Sequence, residues 1–299
     1  MWKWASRVAI TAAVLVIALR IADWAAHHAG PLPAVPQPNG YETLLAVGRE
    51  VKAPEGDLAD LSPDAIRGIA DTNRRGLGRL REALRAETGV PLKTERGWGD
   101  RHAEDLKQLK RLAVVLGIQS KAELLNGNTN ESARFMLDTI ALGQALARGG
   151  ILSDGGNALI VETIGTGSLR MLAPVLDAPF CRAAARELEQ FEARREEPER
   201  ILNAQGNWSA ASYGLVSRLG DLFLRKANAH RRVEFTRRYR ETTRRTRRLM
   251  VLLAGRAVEL ETASRVVHPA DLVPSVLRSV PLDPDNNAPM AEVPGAKSE

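Results

Sequence analysis

Residues 100–125 read DRHAEDLKQLKRLAVVLGIQSKAELL. Leu106, Leu109, Leu112, Val115 and Leu116 recur at helical spacing, with charged residues between them. That periodicity predicts one amphipathic helix of about seven turns, ended by Asn126-Gly127-Asn128.

The same reading extends in both directions. On the C-terminal side, residues 130–148 carry Phe135, Leu137, Ile140, Leu142 and Leu146 before Gly149-Gly150 stops the run. Further helices are expected over 154–176, stopping near Asp177 and Pro179, over 180 to about 205, and from about 213 into a long helix ending near 267. On the N-terminal side, Ser62-Pro63-Asp64 supplies a cap, a first-turn proline and an acid at the positive end of the dipole. Ile66, Ile69, Leu77, Leu80 and Leu84 follow, and Gly89-Val90-Pro91 ends the run. Asn39 is a cap for a helix starting near Tyr41. Short polar breaks between such runs predict an irregular antiparallel all-α domain of about six to eight helices over residues 41–267. No internal repeat is evident; residues 124–147 look like a single helix-turn-helix unit of a repeat protein.

Composition agrees. Of 299 residues, 44% are apolar, 26% charged and 4% aromatic. Ala, Leu, Arg and Glu dominate, and all keep their rotamer freedom in a helix. A single cysteine, Cys181, excludes an internal disulfide and reads as a small buried hydrophobe beside Phe180.

The N-terminus has a separate logic. Residues 8–19 are an apolar run that rises about 18 Å as a helix; extended over residues 5–26 it rises about 33 Å, enough to span a bilayer. Arg20 and Asp23 are three apart and can pair near the outer end. Trp2, Trp4 and Trp24 flank the run as interfacial aromatics would, and Lys3 and Arg7 precede it, with no further Lys or Arg between Arg20 and Arg49. These features predict a transmembrane anchor over residues 1–28 with a cytoplasmic N-terminus. The body is then extracytoplasmic at the cell inner membrane, on the periplasmic side. A cleaved signal peptide fits the charged start and apolar stretch, but no clean small-x-small site follows. Residues 29–40 form a linker with prolines at 31, 33, 36 and 38. Residues 268–299 form a second proline-rich stretch, with a short amphipathic helix expected at 270–277 and disorder over the last ten residues.

The pattern Asn39-Gly40-Tyr41, Ser62-Pro63, Asn73 with Leu77, Leu80 and Leu84, then Gly89-Val90-Pro91-Leu92 resembles an uncharacterised planctomycete-type family of single-pass membrane-anchored helical proteins. Pro269-Ala270-Asp271-Leu272-Val273-Pro274 and Val280-Pro281-Leu282-Asp283-Pro284 resemble that family's C-terminal segment. Where the family continues with an aromatic, a glycine and Pro-Leu, this chain reads Asp285-Asn286-Asn287-Ala288-Pro289-Met290. The resemblance implies an architecture and no activity. A Pro-x-Asp-Pro element also closes some secretion pseudopilins, which makes a secretion or pilus-like assembly an alternative.

Signatures of chemistry are sparse. No phosphate-loop, nucleophile-elbow or His-Glu-x-x-His pattern occurs. Gly165-Thr166-Gly167-Ser168 follows a helical run and reads as helix packing. His102, near Glu104 and Asp105, reads as part of a solvated helix start. Asp283-Pro284-Asp285-Asn286-Asn287 imitates the start of a calcium loop, but the sixth position is Ala288 and the twelfth Pro294. The acids and arginines of residues 187–200 read as a salt-bridged solvated face. No catalytic, cofactor or metal residues are therefore assigned.

One segment carries functional weight. Residues 225–248 hold eleven Lys/Arg against Glu234 and Glu241, a local charge of +9 in a chain of net +6. Phe235, Tyr239, Thr242, Thr246, Leu249 and Leu253 define its inward face. Arg231, Arg232, Arg237, Arg238, Arg244, Arg245 and Arg248 are candidate contacts for a protein partner, an acidic surface or anionic lipid; the topology disfavours nucleic acid. The expected function is a membrane-held, non-catalytic scaffold or binding module, with an enzyme of unrecognised site as a further alternative.

Overall fold

The computed structural model describes residues 11–21, 30–54, 60–223, 225–263 and 268–290, with residues 214–223 and 225 described by their backbone only. The described chain is helical, and no strand occurs among the described residues. The helices are α1 (Thr11–Ile21), α2 (Gly40–Glu50), α3 (Pro63–Arg85), α4 (Trp98–Leu125), α5 (Thr129–Ala147), α6 (Leu152–Leu172), α7 (Ala178–Ala193), α8 (Pro198–Phe223) and α9 (Arg225–Thr262). Short 3-10 turns follow at Ala173–Val175 and Pro269–Leu272.

Most boundaries have local causes visible in the chain. Asn39 Oδ1 accepts the Tyr41 N–H at 3.1 Å, and Ser62 Oγ accepts the Ala65 N–H at 3.2 Å, so both expected caps are made. Gly149 ends α5 in the left-handed region at φ 64°. Residues 180–205 differ from the single helix expected there. The chain breaks at 194–197 because Pro198 has no N–H to donate and disfavours a helical residue before it, so α8 begins at the proline.

α5 is the centre of the body. Ala133, Leu137, Ile140, Leu142 and Leu146 are buried, because α4, α6 and α7 pack on its sides. The four-residue turn after α5 folds α6 back along it, and two glycines set the spacing. A Cβ on Gly143 would stand 2.5 Å from Glu162 Cγ, and one on Gly165 would stand 2.7 Å from Ile140 Cγ1 and 2.9 Å from the Met136 carbonyl. α9 lies over α6 and α7, while α2 fits between α3 and α4. Leu109, Leu112, Val115, Leu116, Val251 and Leu253 join one continuous core.

Two asparagines act as structural pins. Asn39 Nδ2 donates to the Gly89 carbonyl at 2.8 Å while its Oδ1 accepts the Gly89 N–H at 3.0 Å. Asn73, buried, brackets Lys52 through its N–H and carbonyl, both at 2.9 Å.

The described parts of the two proline-rich segments, residues 30–40 and 268–290, lie against the body. Leu32 packs on the cluster of Trp98, Ile151 and Trp208, and Asn207 Nδ2 donates to the Pro31 carbonyl at 3.2 Å. At the other end, the 3-10 turn Pro269–Leu272 and a hydrogen-bonded turn over 273–276 stand in place of the amphipathic helix expected at 270–277. Pro274 interrupts the ladder, and Leu272, Val276 and Leu277 enter the main core. The last nine residues and the tryptophans and cations flanking the N-terminal apolar run lie outside the described residues.

Candidate functional site

α9 presents its predicted inward face to the body: Phe235, Thr242, Thr246, Leu249 and Leu253 are buried and Tyr239 is half-buried. The arginines point away from it, but they are not equivalent. Arg237 and Arg238 both donate to Glu234, and these bonds hold the Glu234 carboxyl down at about 2. Arg245 donates to Glu241 at 3.0 Å. Arg244 is mostly covered and binds Glu241, Asp283 and Asp285, so it closes the C-terminal turn onto the helix. The carboxylates that imitate a calcium loop are thus occupied by a guanidinium. Arg231, Arg232 and Arg248 are exposed and make no ion pair among the described residues, and Arg240, absent from the expected set, joins them.

Two grooves flank this helix. One of about 610 Å³ is lined by Arg232, Val233, Thr236, Arg237 and Arg240, with Glu241 and Asp285 in its wall paired to Arg244, and Val233 is 67% exposed within it. The other, about 780 Å³, opens between α6, α9 and the C-terminal turn. Arg170 of α6 and Arg245 and Arg248 of α9 line it, with Leu249, Leu252 and Met290 along its apolar side. Gly167 contributes wall without a side chain, and a Cβ there would meet nothing within 4 Å. Of the expected glycine-rich packing element, Gly165 therefore faces α5 and Gly167 faces the groove.

A third site was not legible in the sequence. His102 is buried, its Nε2 lies 2.6 Å from Asp154 Oδ1, and Asp154 Oδ2 accepts the Ile151 N–H at 2.8 Å. Trp98 stacks on the imidazole at 4.4 Å, and Trp208 tilts against Trp98 while donating its indole N–H to the Lys93 carbonyl at 2.9 Å. Tyr41 is buried beside them with no hydrogen-bond partner for its hydroxyl. Burial, reinforced by Asp154 and Asp105, pushes that hydroxyl well above the usual phenol range. Tyr41, Trp98 and His102 line an open pocket of about 750 Å³ rimmed by the Arg49–Asp105 and Arg101–Glu95 ion pairs. The signal available in the sequence was position: His102 is four residues before Leu106 on the buried stripe of α4. Its partner lies 52 residues away, on another helix.

The chain matches no family model, no curated protein and no solved structure.

A buried ladder completes the charge pattern. Arg195, in the break between α7 and α8, forks onto Glu162 of α6 at 2.6 and 3.1 Å and donates through Nε to Glu192 of α7 at 2.7 Å. Arg247 of α9 reaches the other oxygen of Glu192 at 2.9 Å. Burial raises the Glu162 carboxyl and Arg195 pulls it back. Glu192 and Arg195 are therefore interior, not on the solvated face expected for residues 187–200: the turn at 194–197 folds the guanidinium inward over α6. Cys181 is buried and its thiol is pushed up to about 11 by burial, which makes it inert as a nucleophile at neutral pH. Among the described residues no group of three or more His, Cys, Asp or Glu side chains could hold a metal ion.

Proposed function

We propose that the chain is a membrane-anchored helical binding module, held at the inner membrane by its N-terminal segment with its body on the extracytoplasmic side. Its role is to dock an acidic protein surface on the outer face of α9. The observation that carries the docking is the set Arg231, Arg232 and Arg240, which stand exposed without acidic partners beside the exposed Val233. Guanidiniums left unpaired on a rigid helix are preorganised donors for carboxylates. The expected nucleic-acid alternative is disfavoured by the same topology that places the body outside.

Support for the anchor comes from α1. Every residue of Thr11–Ile21 is exposed, including Val14, Leu15, Val16, Ile17, Leu19 and Ile21, so this apolar helix finds no cover in the body. Its described length rises about 16 Å, and the flanks needed to span lie outside the described residues. α6 with its 3-10 extension, Leu152–Val175, also has the length and composition of a span, but half of its apolar window is buried in the body. It is a core helix.

The test is crosslinking of the full chain in intact cells, compared with an Arg231→Glu/Arg232→Glu/Arg240→Glu variant. A salt-sensitive protein adduct lost in the variant is expected. An adduct pattern unchanged by charge reversal, or a full-length product that washes off with the soluble pool, overturns the reading.

The His102 pocket favours a second reading, an enzyme. An imidazole held by a buried carboxylate next to an unpaired phenol is an arrangement suited to proton transfer. No serine, threonine or cysteine lines that pocket, so the chemistry it suggests is general acid–base transfer and not a serine- or cysteine-type acyl transfer. Any turnover found by substrate screening should disappear in His102→Gln with the fold intact; turnover retained in that variant ends this reading.

A further inference from the structure

α6 carries a stripe of large apolar side chains on its outer face. Ile160 is 53% exposed, Ile164 45%, Met171 83% and Val175, in the 3-10 extension, 64%. At 100° per residue these positions lie on one side of the helix, and Gly167 falls in line with them. The stripe runs beside the 780 Å³ groove, whose cationic rim is Arg170, Arg245 and Arg248. Arg170 and Arg248 make no ion pair among the described residues, and the two carboxylates that also line the groove are already bound, Glu241 to Arg244 and Arg245 and Asp283 to Arg244. A helix face that is apolar along its length and arginine-lined along one edge has the division of an interfacial membrane helix.

We propose that this face of α6 and α9 binds anionic phospholipid. The phosphate seats between Arg170 and Arg248, with Arg245 contributing the donors that Glu241 leaves free, and the acyl portion lies along Ile160, Ile164, Met171 and Val175. Charge complementarity selects the headgroup: a guanidinium fork matches a phosphate in geometry, and three of them surround a single groove. The apolar stripe selects a lipid over a free phosphate, because a free anion would gain nothing from those side chains. The site is separate from the α9 residues assigned to the acidic partner, and its tests do not depend on them.

The experiment titrates the full chain, purified in uncharged detergent, with dihexanoyl phosphatidylglycerol, dihexanoyl phosphatidylcholine and inorganic phosphate, using calorimetry. The phosphatidylglycerol should bind at least tenfold more tightly than either control. Arg170→Gln/Arg248→Gln should weaken it by tenfold or more, since each charged hydrogen bond contributes about a factor of ten. Ile164→Ser/Met171→Ser should weaken it several-fold; all four side chains are exposed, so the fold is not at stake. Arg75→Gln/Arg96→Gln, with the same charge change at two exposed arginines far from either face, should leave binding intact. An equal loss in that control reduces the effect to net charge, equal affinity for inorganic phosphate removes the lipid, and equal affinity for phosphatidylcholine removes the headgroup selectivity; any of these overturns the proposal.

Discussion

Replacing Arg195 by Met tests whether the buried ladder holds the body together. The Arg195 side chain is 6% exposed, Glu162 2% and Glu192 8%, so solvent screens none of the three appreciably. Removal of the guanidinium strands Glu162 in the interior and leaves Glu192 with Arg247 alone. Breaking one side of such a pair costs about 3–5 kcal/mol, more than the pair itself contributes. At a urea m-value of about 3 kcal/mol/M, the midpoint should fall by about 1 M or more with m unchanged. Adding Glu162→Leu removes the stranded charge, and the double variant should recover much of the loss, with a coupling of about 2–3 kcal/mol in the cycle. The pH dependence follows. Without Arg195 the Glu162 carboxyl, already raised by burial, rises further above its ordinary 4.5. A folded-state value above the unfolded one stabilises below the unfolded value and is lost as pH rises through the folded one. The Arg195→Met variant should therefore be closer to wild type at pH 5 than at pH 8. A midpoint shift below about 0.3 M, or additive single and double variants, would refute the ladder's role.

Within α6, Gly165→Ala should destabilise by about 1–3 kcal/mol through contact with Ile140 and the Met136 carbonyl. Gly167→Ala, with open space around it, should stabilise by up to about 1 kcal/mol in the same denaturation assay. Cys181 should resist maleimide at pH 8 until the chain unfolds. Because its folded value of about 11 exceeds the ordinary 9.0, stability tied to the thiol is complete below pH 9 and is lost as pH rises through about 11. Asn39→Ala removes the α2 cap and both bonds to Gly89, and should lower stability by about 2 kcal/mol, read by urea midpoint.

How much of this was legible depends on the range of the cause. Ser62, Asn39, Gly149 and the α4 stripe act within a turn or two of themselves, and the structure places their helices within a few residues of the expected bounds. Pro198 also acts locally, yet the acids and arginines around it have the spacing of a salt-bridged helix face, and that pattern hides the break before α8. The docking of Leu32, Leu272 and Val276 was illegible for a different reason. Proline-rich composition reports what the backbone cannot form, and it carries no information on whether an isolated leucine finds a core to enter.

The candidate sites divide along the same line. A run of arginines states the charge but not who neutralises it, and the neutralising acids come from two distances. Glu234 and Glu241, three and four residues from their partners, could be paired on a helical wheel. Asp283 and Asp285 could not: they reach Arg244 from about forty residues on, through a turn that only the folded chain brings near. The helix therefore divides. Arg244 is structural, while Arg231, Arg232, Arg240 and Arg248 are left over. His102 and Asp154 are the extreme case, since each alone looks like an ordinary polar residue near a helix start. Burial makes the pair consequential: an aspartate with no exposed surface must be fully satisfied, and its two oxygens are taken by an imidazole and by the N–H of Ile151, the residue that caps α6. The His102 contact therefore orients α4 on α6 whether or not the pocket beside it binds anything. That is why His102→Gln must be judged by turnover against an intact fold, and not by loss of function alone.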